Sequence, residues 1–137
     1  MEHSKDFIER EIQKLTLMMI NLINQISGAN INDFEIGIKA TNEALKGQLD
    51  LTIGEILNMQ NSTLIEKISD LQKVHIEKLV EILYEVIKKN DLIETGKIYD
   101  GNKLTEKTLL LIEHIDKNST TFSLKRLNLK NVLQHRI

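Results

Sequence analysis

The chain contains no cysteine, no proline and no tryptophan. Without cysteine, disulfides, thiolate catalysis and cysteine-based zinc sites are excluded, and a reducing compartment is tolerated. Without proline, none of the 137 residues is a strong helix breaker, which favours an all-helical chain. Aromatic residues make up only 4%, so the core has to be built from Leu, Ile, Val and Met. Neither charge sign dominates: 18 basic residues face 20 acidic ones, for a net charge of −2. No global field draws the chain to nucleic acid or an anionic membrane. Long apolar runs are also absent. The longest, LTLMMINLI at 15–23, is far shorter than the roughly 20 residues a bilayer crossing needs. The opening MEHSKDFIER is charged and lacks the apolar centre of a signal peptide. A cytoplasmic protein without membrane insertion is the expectation.

What is present is helical periodicity. With 41% hydrophobic and 28% charged residues, the composition suits one globular domain over 1–137. A first helix is expected over 4–27, capped by Ser4 and ended by Gly28 in a left-handed conformation. Its Ile8, Ile12, Leu15, Met19, Leu22 and Ile26 are spaced 4, 3, 4, 3, 4, a heptad seam. Leu17, Met18, Ile20 and Ile23 widen that seam beyond one stripe. A helix so apolar is central in its domain or buried against a second chain. Ile12, Leu15, Met19, Leu22, Ile23 and Ile26 are therefore the candidate dimer interface. A second helix is expected over 32–47, with a thin stripe of Ile36, Ala40 and Ala44 whose small residues let a neighbouring helix approach. Its Asp33, Glu35, Lys39, Glu43 and Lys46 should face water.

The stretch LDLTIGEILNMQNSTLIEKISDLQ (49–72) repeats one spacing three times: Thr52–Glu55, Thr63–Glu66 and Ser69–Gln72. In a capping box the hydroxyl accepts from a backbone N–H and the Glu or Gln reaches back to the cap residue. Two short helices, 53–58 and 64–68, are expected, then a long one over 70–89. In that helix Ile76, Leu79, Leu83 and Val86 form a seam that Val80, Ile82 and Ile87 broaden. A helix over 104–117 should bury Leu104, Thr108, Leu111, Ile112 and Ile115. Ser123 should cap a last helix to about 134, partly burying Leu124, Leu127, Leu129 and Val132. No segment alternates with period two between turns. The fold class expected is all-α: an antiparallel bundle of about four long helices plus short connecting ones.

Catalytic motifs are missing. There is no Glu-x-x-His, His-x-x-x-His or His-Glu-x-x-His pattern, no phosphate-binding glycine loop and no nucleophile elbow. Glu77, Glu81 and Glu85 share a helix face, and a solvated stripe explains them better than a cation site. The four histidines, His3, His75, His114 and His135, are scattered. Lys125, Arg126, Lys130 and Arg136 give a basic C-terminal segment, but it has no aromatic platform for nucleic acid. His75, Tyr84, Tyr99 and His114 are the polar groups able to line a pocket between the helices near 70–90 and 104–117.

DFIEREIQKL at the start, LTIGEILNM and STLIEKI in the middle, and KTLLLIEHIDKNSTTFSLKR at the end resemble a bacterial all-helical family of unknown function. The resemblance implies an N-terminal amphipathic helix and a tetratricopeptide-like hairpin near the C-terminus, here 79–115. It implies no catalytic residues. The expected function is a non-enzymatic helical interaction or scaffold module. It should be homodimeric through the first helix, with no cofactor and no metal; another protein is a second possible partner. The alternative is a small-ligand binder or enzyme using the pocket named above.

Overall fold

The computed structural model describes residues 2–136, without the side chains of Glu2 and His3. Every regular element among them is helical: α1 (Glu2–Gly28), a 3-10 turn (Ile31–Asp33), α2 (Phe34–Leu49), α3 (Ile53–Asn58), α4 (Asn61–Ile68), α5 (Lys73–Asp91), α6 (Gly101–Asn118) and α7 (Leu124–Arg136). The class is all-α, and no helix is long and apolar enough to cross a membrane among the described residues.

α5 is the central strut. It buries Ile76, Leu79, Val80, Ile82, Leu83, Val86 and Ile87, so its whole expected seam is core. Each such side chain contributes about 1.5–3 kcal/mol on leaving water. α1 packs along one side of α5 and runs parallel to it. His75 meets Ile12 near one end, and Lys89 donates to the Ala29 carbonyl (2.7 Å) at the other. The parallel pairing is possible because α2, α3 and α4 carry the chain back between them. α6 returns antiparallel on α5, burying Leu104, Thr108, Leu111, Ile112 and Ile115 as expected. α7 turns again and lies against both.

Several expectations change. α1 ends at Gly28, but only Gly96 (φ +73°) is a positive-φ glycine, so Gly28 is not a left-handed cap. α2 runs past Gly47 to Leu49, and Asp50 takes the left-handed position (φ 55°) with its N–H on the Lys46 carbonyl (3.1 Å). The core face of α2 is Phe34, Ile38, Thr41, Leu45 and Leu49. The Ile36–Ala40–Ala44 stripe is on the other side: Ile36 is 72% exposed, Ala40 is exposed and Ala44 half-buried. Two stripes of helical spacing compete on α2, and the one with the larger side chains is buried. In α7, Leu124, Leu127 and Val132 are exposed, while Leu133 and Arg126 are the buried residues.

Of the three expected capping boxes one forms. Thr52 Oγ1 accepts from Glu55 N (3.1 Å) and Glu55 Oε1 accepts from Thr52 N (3.0 Å). Thr63 lies inside α4, which starts after Gln60. Ser69 closes α4 instead of opening α5: its hydroxyl donates to the Ile65 carbonyl (2.6 Å). A serine hydroxyl serves either helix end, so spacing alone does not fix which.

Candidate interaction surfaces

The helix lengths create the first surface. α1 has 27 residues and α5 has 19, and α5 begins beside Ile12. At 1.5 Å per residue the excess is about 12 Å of helix. Residues 4–11 are accordingly all exposed, including Phe7 (62%) and Ile8 (57%). Of the six candidate interface residues, Met19, Leu22 and Ile26 are buried in the chain's own core. Ile12, Leu15 and Ile23 are half-buried. Half of the seam read as an interface is thus used inside the monomer.

The four candidate pocket residues do not converge. His75 faces α1: its Nε2 lies 3.0 Å from the Ile12 carbonyl oxygen and 3.1 Å from Thr16 Oγ1. A carbonyl only accepts, so that contact requires the proton on Nε2. Tyr84 lies beside Leu124, Asn128 and Val132 of α7, with Lys88 Nζ 4.8 Å from its ring centre. His114 borders a depression near Ser69 and Asn118, and Asn118 Nδ2 donates to its carbonyl (2.8 Å). Tyr99, in the α5–α6 connection, reaches α2: Asn42 Nδ2 donates to its hydroxyl (3.0 Å), and Asn42 Oδ1 accepts from Ile53 N (2.9 Å). Burial pushes the Tyr99 phenol above its ordinary value. Asn42 thereby ties α2, α3 and the connection together. No local pattern around Asn42 announces this, because Tyr99 is 57 residues away.

The carboxylates of α5 are not a solvated stripe. Glu81 is 9% exposed and lies under α7, paired with Lys78 (2.9 Å) and Lys125. Burial raises its pKa, and the two lysines outweigh burial to leave it below the ordinary value. Arg126 is 8% exposed; its Nε meets Asp116 (2.6 Å) and its Nη1 meets Glu77 (3.2 Å). Lys130 approaches Asp116 (3.8 Å), and Arg136 pairs with Asp91 and donates to the Gly101 carbonyl (3.2 Å). All four basic residues of the C-terminal segment therefore face carboxylates of α5 and α6. No group of three or more metal-ligating side chains is assembled among the described residues.

The corner at 49–72 is also held from within. Lys46 contacts Asp50 (3.3 Å) and Glu55 (3.0 Å), and Lys67 contacts Asp50 (3.2 Å). Lys67 and then Lys46 hold the Asp50 carboxyl below its ordinary value, and Lys46 does so for Glu55. Lys107 Nζ donates to the Met59 carbonyl and to Asn61 Oδ1 (both 2.6 Å), closing the α3–α4 turn onto α6.

An open groove of about 1100 Å³ runs along the outer face of α2. Ile36, Lys39, Glu43 and Lys46 line it, and Ile98 and Tyr99 form its far wall. No protein-family model, no curated protein and no solved structure matches the chain.

Proposed function

We propose that this chain is a non-enzymatic helical interaction module that associates with a second copy of itself. The observation that carries the reading is the uncovered apolar surface on two helices whose other faces are core: Phe7 and Ile8 on α1, and Ile36 on α2. Such side chains are ordinary when single, and informative when they border a groove or extend a core seam. The polar residues lend a second support. His75, Asn42, Arg126 and Lys107 are each engaged in joining one element to another.

The contact read from the sequence lies on α1, where Phe7, Ile8 and Leu17 are exposed and Ile12, Leu15 and Ile23 are half-buried. The α5–α6 hairpin is the unit to which the tetratricopeptide-like resemblance would apply. A single hairpin cannot form a superhelical groove, so a partner has to meet helix faces instead. Multi-angle light scattering from about 10 to 500 µM tests the reading, a span that brackets micromolar to weaker association. A mass rising towards twice 15.8 kDa supports it. A constant monomer mass defeats it.

A further inference from the structure

The groove along α2 carries a charge order that fits its own copy. Glu35, Lys39, Glu43 and Lys46 alternate in sign along the outer face, and all four line the groove. Glu35, Lys39 and Glu43 have no ion-pair partner among the described residues, while Lys46 is shared with Asp50 and Glu55. Charges left unpaired on a face that also exposes Ile36 at 72% suit an external partner of complementary order.

We propose that α2 of a second copy lies antiparallel in this groove, about a two-fold axis near residue 41. In that arrangement Lys39 faces Glu43 of the other copy, Glu43 faces its Lys39, and Glu35 and Lys46 face each other at the two ends. Each Ile36 comes over the partner's Gly47, where an added Cβ meets nothing within 4 Å. A parallel pairing in register would set Glu35 on Glu35 and Lys39 on Lys39. The antiparallel one closes on itself, as an isologous contact must. The walls supplied by Ile98 and Tyr99 stand beside the incoming helix. One helix pair is a small interface, so the association is weak, concentration-dependent and weakened by salt.

This inference rests on the self-association proposed above, and its test separates the two. Ile36, Lys39 and Glu43 are exposed, so replacing them leaves the core intact. Sedimentation velocity is run on wild type, Ile36→Asp, Lys39→Glu, Lys39→Glu with Glu43→Lys, and Phe7→Asp with Ile8→Asp. Ile36→Asp and Lys39→Glu are expected to weaken dimerisation by about tenfold or more, since like charges or a desolvated carboxylate then meet at the contact. The double charge exchange is expected to restore it. Dimer loss in the Phe7/Ile8 variant alone, with the α2 variants behaving as wild type, would place the contact on α1 and overturn the α2 contact. A wild-type dimer indifferent to the α2 variants, or a double exchange that does not recover, overturns the α2 contact while leaving self-association standing. A wild-type monomer at every concentration overturns both.

Discussion

The guanidinium of Arg126 meets the carboxylate of Asp116 at 2.6 Å across the α6–α7 turn, and extends to Glu77 on α5. One side chain thus joins three helices. Around it α7 buries Arg126 and Leu133 and half-buries Leu129 against the core, so ion pairs share its docking with two apolar side chains. Buried ion pairs fix geometry more than they add stability, and their loss leaves charges uncompensated.

Arg126→Ala is therefore expected to cost about 1–3 kcal/mol, below the range for fully buried pairs because Glu77 and Asp116 keep contact with water. Urea unfolding measures it. Hydrogen exchange should show α7 amides opening before those of α5, and more so in high salt. Equal protection of the two helices would contradict an ionic latch.

Thr52→Ala removes the one complete capping box among the described residues and is expected to cost about 1 kcal/mol. Thr63→Ala, inside α4, should change the urea midpoint little. An equal loss at both positions would mean that the spacing, not the observed cap, determines the effect.

The pH dependence has a definite sign. Asp50, Glu55 and Glu81 have pKa values below their ordinary 3.8, 4.5 and 4.5. Folding then favours the charged forms. Their contribution is complete above those ordinary values and is lost as pH falls through the lower folded ones. Lys46 is shifted upward from 10.5, by Glu55 first and Asp50 next. Its contribution is complete below 10.5 and is lost as pH rises through the folded value. Urea midpoints should fall from about pH 5 to about pH 3. A midpoint that rises on acidification would contradict the assigned pairs.

Asn42→Ala is expected to cost about 1–3 kcal/mol, since it orphans the Ile53 N–H and the Tyr99 hydroxyl contact together. Tyr99→Phe, which keeps the Asn42–Ile53 bond, should cost less. Thermal unfolding of the two variants side by side checks the order.

The seams of α5 and α6 were legible because one apolar stripe dominates each helix. α2 was misread because Ile36, Ala40 and Ala44 have helical spacing too, and only packing shows that Phe34, Ile38 and Leu45 win the core. The overhang of α1 was in principle readable: the first helix, expected over 4–27, is longer than the one expected over 70–89 on which it packs. Ion pairs such as Glu77–Arg126, 49 residues apart, leave no local trace. The expected close approach of another helix to Ala40 is met within the chain by no packed helix face, since Ala40 is exposed. That exposed face is the one the proposed α2 contact covers.

The absence of cysteine makes the central claim directly testable. Lys39→Cys and Glu43→Cys chains are mixed under mild oxidation and separated on a non-reducing gel. Antiparallel pairing of α2 predicts a covalent heterodimer that forms faster than either homodimer. No excess of the mixed species, in chains that sediment as wild type does, would contradict it.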